Sequence, residues 1–265
     1  SGSDNHSVTG YYLSESSTTP GLDNFTAVTA ADNYSASLSF TLSSGDGAKT
    51  VYAWLRDTAG NIGGSASDNI SLDTTAPTVS VGSPSDNHSN SGPVSYTVSY
   101  TGADNVTLVA DNVTVTTTGT AAAGSKSVTG SGTATRTITL DNLTGSGTLA
   151  VSIASATAND FAGNSAPTAS ASDNITVDNT APSGLALTVA GGDAYATAQA
   201  VSLTLSGSDN HSVTGYFLSE SSTIPSLDNF TSVTATDNYS ASLSFTLSSG
   251  DGAKTVYGWL RDTAG

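Results

Sequence analysis

Ser240-Ala-Ser-Leu-Ser-Phe-Thr-Leu247 alternates hydroxyl and apolar side chains one for one. Successive side chains of a strand point to opposite faces, so Ala241, Leu243, Phe245 and Leu247 share one side and the Ser and Thr residues share the other. The apolar side predicts a strand laid on a core. Ser202–Leu205, Val94–Tyr100, Thr135–Leu140 and Leu149–Ile153 carry the same alternation, and clusters of Gly, Asn and Asp punctuate the chain between such runs. No stretch sustains the 3.6-residue apolar period of a helix. About seven short strands per 100 residues read as an all-β chain of antiparallel β-sandwiches. Residues 116–135, rich in Gly, Ser and Thr, read as either a long hairpin tip or a flexible loop.

Working outward, the same phrase stands at Ser35–Leu42, because residues 1–60 recur almost unchanged as residues 206–265. Six pairs differ: Tyr12/Phe217, Thr19/Ile224, Gly21/Ser226, Ala27/Ser232, Ala31/Thr236 and Ala53/Gly258. A weaker repeat cuts this period in two, since Ser67–Pro77 (SDNISLDTTAP) reappears as Ser172–Pro182 (SDNITVDNTAP). Ahead of each stands one turn, Asp57-Thr-Ala-Gly-Asn61 and Asp160-Phe-Ala-Gly-Asn164, in which Gly60 and Gly163 supply the positive φ of a tight hairpin. Three domains follow: residues 1–76, residues 77–181, and residues 182–265 as a second copy of the first. The last copy carries two strand-like runs, Leu185–Val189 and Val201–Leu205, ahead of the segment matching Ser1, while nothing matches the strand that follows Gly60. Both terminal domains are therefore expected to be incomplete, as a window on a longer tandem array would be; the missing Met at position 1 agrees with this.

Composition removes several functions. With 22 acidic against 6 basic residues and a net charge of -16, the chain repels phosphate backbones and anionic lipid headgroups. Nucleic acid is not an expected partner, and no apolar run of about 18 residues predicts membrane insertion. No cysteine is present for disulfides, thiolate chemistry or zinc. Enzyme activity is not expected either: the three histidines, His6, His88 and His211, all sit in one SDNHS phrase that reads as a polar turn, no G-x-S-x-G elbow occurs, and Glu15 has no acidic partner for glycoside chemistry.

The D-x-A-G-N turn and the D-[TN]-T-A-P linker resemble those of the bacterial immunoglobulin-like tandem repeats of giant surface adhesins and extracellular filament proteins. The resemblance covers essentially the whole chain. It implies tandem Ig-like domains strung as beads, an extracellular or cell-surface location, and a structural role as the shaft of a filament or adhesin, with further copies of itself as partners. Each Thr-Ala-Pro linker restricts bending, because Pro fixes φ and holds its predecessor extended. Alternating dissimilar domains limits strand exchange between near-identical neighbours.

Three groups of residues are candidates for something more. Strand Val51–Arg56 is apolar on both faces, with Val51, Ala53 and Leu55 opposite Tyr52 and Trp54. Either the large aromatics point inward with the small residues under a loop, or Tyr52 and Trp54, with Tyr11 and Tyr12, form an exposed stripe for carbohydrate, the next domain or another chain. That stripe supports the rival function, a carbohydrate-binding adhesion module. The 20 Asp against 2 Glu gather at turns and linkers, where hard cations find carboxylate and carbonyl oxygens. Asp68, Asp73 and Asp104 are expected to converge at one junction, and Asp173 and Asp178 at the next. The resemblance adds that related adhesin modules rigidify junctions with Ca2+.

Asp-Asn is the third feature. Of thirteen such pairs, all but Asp178-Asn179 continue as D-N-x-[ST], giving twelve N-glycosylation sequons at Asn5, Asn24, Asn33, Asn69, Asn87, Asn105, Asn112, Asn142, Asn174, Asn210, Asn229 and Asn238. Asn61, Asn90, Asn159 and Asn164, not preceded by Asp, never have the hydroxyl. Ser and Thr make up about a third of the chain, so chance predicts roughly six sequons among seventeen asparagines. The alternative is that Asp-Asn forms turns and Ser or Thr merely begins the next strand.

Overall fold

The computed structural model describes all 265 residues, and they form strands joined by turns, with helix limited to four three-residue 3-10 turns. The chain divides into two compact units, Ser1–Ala76 and Pro77–Gly265. No helix is long and apolar enough to cross a membrane.

The first unit is one antiparallel sheet. Its strands are β1 (Gly2–Ser14), β2 (Thr26–Tyr34), β3 (Gly47–Asp57) and β4 (Ala66–Leu72), in the order β2-β1-β3-β4. Only Val8, Phe25 and Trp54 are buried apolar residues here, since no second sheet of the unit lies over the face.

Within the second unit, residues 77–181 form β5 (Thr78–Pro84), β6 (His88–Ser89), β7 (Val94–Thr101), β8 (Asn105–Val106), β9 (Val113–Thr117), β10 (Ala122–Thr129), β11 (Thr135–Thr144), β12 (Ser146–Ile153), β13 (Ala158–Asn159) and β14 (Ile175–Asp178). Two four-stranded sheets, β10-β11-β7-β5 and β6-β14-β12-β9, face one another across one core, and β13-β8 form a small third sheet. Alternate residues fill that core: Val94, Tyr96, Val98 and Tyr100 from β7, Ile138 and Leu140 from β11, Leu149, Val151 and Ile153 from β12, Ile175 and Val177 from β14. All pairings are antiparallel except β14 with β6, which is parallel. The stretch 116–135 is not a loose loop, because β10 runs through it and pairs with β11 from Ala122↔Thr144 to Thr129↔Thr137.

Residues 182–265 form β15 (Ser183–Val189), β16 (Ala200–Ser219), β17 (Thr231–Thr246) and β18 (Tyr257–Arg261). The long β16 pairs with β17 along its length and with β15 and then β18 on its other side. Leu205, Val213, Tyr239 and Leu260 make a small buried cluster. No sheet draws strands from both sides of Ala181.

The repeated phrase shows what decides strand formation. In the last copy, Ser240–Thr246 pairs with Ala200–Ser206, with Leu243 opposite Leu203 and Phe245 opposite Val201. The same residues at Ser35–Thr41 lie outside any strand, and Leu38 and Phe40 are exposed. The reverse holds for the other edge: Gly47–Ala53 pairs with β4, whereas the matching 252–256 stretch has no such partner and is not a strand. A strand fulfils its hydrogen bonds only against a neighbour, so an identical local sequence takes two structures. The face Ala241, Leu243, Phe245 and Leu247, expected in a core, is half-buried for the same reason: it belongs to a single sheet.

The D-x-A-G-N turns are alike. Asp57 Oδ1 accepts the Asn61 N–H at 2.8 Å and its Oδ2 accepts Asn61 Nδ2 at 2.7 Å; Asp160 grips Asn164 in the same way at 2.8 and 2.9 Å. Gly60 and Gly163 adopt φ of 89° and 93°, which a side chain would strain. These bonds, the Asn side chain's foremost, hold both carboxylates below the ordinary aspartate range.

Candidate functional site

The second D-[TN]-T-A-P linker begins where β14 ends, and its first residue is drawn inward. Asp178 is 1% exposed. Its Oδ1 accepts the Thr180 N–H at 3.0 Å, a turn that the Asp-x-Thr spacing favours. Asn210 Nδ2 lies 3.4 Å from both oxygens, and His211 Nδ1 lies 2.9 Å from Oδ2. Two further aspartates join it. Asp209, in the middle of β16, and Asp262, immediately after β18, are each 7% exposed, and one oxygen from each of the three residues lies within 4.8 Å of the others.

Three buried carboxylates at this spacing are costly. At an effective dielectric near 20, two unit charges at 4.8 Å, the outer limit within this cluster, repel by about 3.5 kcal/mol. The site answers the charges unequally. Asp178 is penalised by burial, but the Thr180 N–H, the Asn210 amide and His211 outweigh this and lower its pKa. For Asp262 burial dominates and raises it, the charges of Asp209 and Asp178 add to the rise, and the N–H groups of Gly265 and Ala264, at 2.6 and 2.8 Å from Oδ1, offset it only in part. Asp209 Oδ1 accepts the His211 N–H at 2.7 Å, while its buried Oδ2 has no partner. An unsatisfied carboxylate oxygen beside two more carboxylates is the donor set of a hard divalent cation such as calcium, which takes oxygen ligands and cancels the repulsion. The residues present fit such an ion: Asp178, Asp209 and Asp262 would each give an oxygen.

Of Asp68, Asp73, Asp104, Asp173 and Asp178, Asp178 stands in a carboxylate cluster, with Asp209 and Asp262. Asp173 is exposed and accepts Ser83 Oγ at 2.7 Å. Asp104 accepts the Phe161 N–H at 2.9 Å, a contact between segments far apart in sequence, whereas Asp68 accepts the Asn69 N–H and Asp73 the Thr75 N–H locally. Asp209 and Asp262 carried a legible signal, since they match Asp4 and Asp57 of the first copy and Asp262 opens the D-T-A-G turn. In that copy Asp4 is half-buried and Asp57 is engaged by Asn61.

The aromatic stripe turns inward in the first unit. Trp54 is 2% exposed, and its ring centroid lies 5.9 Å from those of both Tyr12 and Tyr52, with Phe25 beyond Tyr12 and Arg56 over the Phe25 ring. A buried indole offers no platform on which a sugar can stack; Tyr52 and Tyr11 are half-buried. The matching Tyr257, Trp259, Phe217 and Phe230 contact one another in the same order in the last copy. The asparagines of the D-N-x-[ST] phrases lie at the surface: all are exposed except Asn112, which is half-buried.

No family model matches this chain, and neither the curated proteins nor the solved structures include a match to it.

Proposed function

We propose that the chain is a length of the shaft of an extracellular filament or cell-surface adhesin, built from tandem Ig-like sandwiches and stiffened at a module junction by a divalent cation. The sandwich of residues 77–181 supports the Ig-like reading, because two four-stranded sheets enclose one core and their strand orders skip along the chain as Greek-key connections require. The observation that carries the shaft reading is the anchoring of the linker. Asp178 is buried against Asn210 and His211, Asn179 Nδ2 donates to the Asn90 carbonyl, and Asn90 Nδ2 donates to the Gly265 carbonyl at 3.0 Å. A linker held from both sides resists bending, and a rod made of such joints gains length by copy number.

A cation on Asp178, Asp209 and Asp262 ties the linker to β16 and to the turn that follows β18 in the next module. Removing it returns three unscreened carboxylates to the joint, so stiffness is coupled to extracellular calcium. Calcium at about one hundred times its dissociation constant would add about 2.7 kcal/mol to the stability of the second unit.

Immunogold labelling of intact producing cells, with antibody raised against this chain, tests the location and the shape. Label along thin surface fibres is the expected result, and label confined to the cell interior overturns the reading. Calorimetry with calcium and with chelator tests the joint; a melting temperature unmoved by either removes the cation from the proposal.

A further inference from the structure

Seventeen asparagines divide into two groups by sequence, and the fold divides them along almost the same line. The five outside the D-N-x-[ST] phrase all spend their side-chain N–H groups on the protein: Asn61 on Asp57, Asn90 on Gly265, Asn159 on the Asp160 carbonyl, Asn164 on Asp160 and Asn179 on Asn90. Of the twelve inside it, only Asn105 and Asn210 donate from Nδ2, to Asn159 and to Asp178 and His211. The remaining ten leave Nδ2 without a partner, and nine of these are exposed. Donation from Nδ2 is thus the rule outside the phrase and the exception within it.

The hydroxyl two places on is equally idle. Turn formation by Asp-Asn needs no hydroxyl there, and the fold uses it at three of the twelve sites: Ser7 and Ser212 donate to Asp32 and Asp237, and Ser89 accepts the Gly92 N–H. At the other nine the Ser or Thr oxygen bonds to nothing in the protein, yet twelve of the thirteen Asp-Asn pairs carry it. A hydroxyl that follows nearly every Asp-Asn pair and that the fold seldom uses answers to something outside the fold.

We infer that the free amides of the D-N-x-[ST] phrases are attachment sites for N-linked oligosaccharide. The Asn Nδ2 forms a bond to the anomeric carbon of a lipid-pyrophosphate-linked oligosaccharide, the bond from that carbon to pyrophosphate oxygen breaks, lipid pyrophosphate leaves, and the amide gives one proton to the transferase's base. The Ser or Thr hydroxyl is what such an enzyme recognises. This assignment stands apart from the shaft reading and from the cation.

The sites fall where sugar is useful. Asn33 lies on β2 and Asn69 on β4, the two edges of the first sheet, and Asn238 lies on β17, an edge of the last. Unpaired edges invite strand pairing between chains, and proteins blunt them with charge, particularly Lys. This chain has three lysines, Lys49, Lys126 and Lys254. A branched, hydrated glycan on an edge strand excludes a second strand by bulk. Asn5 and Asn210 supply an internal control, because both stand in SDNHSVTG, but Asn5 is free whereas Asn210 is held at the linker.

Glycopeptide mass spectrometry of the protein purified from the cells that produce it tests the inference, with Tyr12 and Phe217 distinguishing the two copies. Saccharide mass increments are expected on Asn5, Asn33, Asn69 and Asn238, and none on Asn61, Asn90, Asn159, Asn164 or Asn179. Ser71→Ala, at an exposed hydroxyl without a hydrogen bond, should abolish the increment on Asn69 and leave the melting temperature unchanged. Unmodified peptides at all twelve sites, or an increment on Asn69 that survives Ser71→Ala, would overturn it.

Discussion

His211 Nδ1 lies 2.9 Å from Asp178 Oδ2, joining the first residue of the linker to the middle of β16. That contact holds Asn210 beside the linker, and Asp178 joins Asp209 of β16 and Asp262, just after β18, in one buried cluster.

Asp209→Asn should separate the two states of that cluster. It removes one charge and retains the Oδ1 acceptor used by the His211 N–H. In chelator the variant is expected to be more stable than the parent by about 1–3 kcal/mol, because a buried, unsatisfied charge is lost. A gain of that size raises the melting temperature of a domain of this size by about 2–4 °C per kcal/mol. In calcium the order reverses, and the calcium-dependent shift shrinks or vanishes. A variant that melts below the parent in chelator would contradict the repulsion argued above.

Asp160→Asn addresses pH. Hydrogen bonds from Asn164 lower the Asp160 pKa in the folded state, so the unfolded chain binds the proton more readily. The resulting stability is present above the ordinary aspartate pKa of about 3.9 and is lost as pH falls below it toward the folded value. Substitution should flatten acid unfolding in that window and lower the melting temperature at neutral pH, because the bonds from Asn164 to the carboxylate are weakened. Melting curves between about pH 2 and pH 7 check it, and unchanged acid sensitivity would assign the titration elsewhere.

Leu38→Ala and Leu243→Ala make the same change in the same phrase. Leu38 is 39% exposed and unpaired, whereas Leu243 is half-buried opposite Leu203. The first should alter stability by less than about 0.5 kcal/mol; the second should cost about 1–2 kcal/mol, below the value for a fully buried leucine. Equal costs would mean that Ser35–Leu42 is packed in solution.

Trp54→Ala removes a buried indole from the small cluster of the first unit. Loss of about 3–5 kcal/mol is expected, enough to unfold a sheet with few buried residues. The readout is loss of hydrogen-exchange protection across β1 and β3. A well-folded variant that had lost only carbohydrate binding would restore the stripe as a recognition surface.

Local sequence determined which segments are strands in principle, where the turns fall and which stretches are copies. Period-two alternation marks Val94–Tyr100 and Thr135–Leu140 because side-chain direction in a strand is a local property. The D-x-A-G-N turn is legible for the same reason: Asp160, Gly163 and Asn164 close it among themselves. Tertiary structure decided the rest. Ser35–Thr41 and Ser240–Thr246 are identical, yet only the second finds a partner strand. Trp54 is buried because Tyr12, on a strand distant in sequence, lies against it. Asp209 and Asp262 match Asp4 and Asp57 by sequence, but a cluster forms only where the linker brings Asp178 to them. Hydrogen-bond pairing, burial and charge repulsion depend on what stands opposite a residue, and no residue carries that information alone.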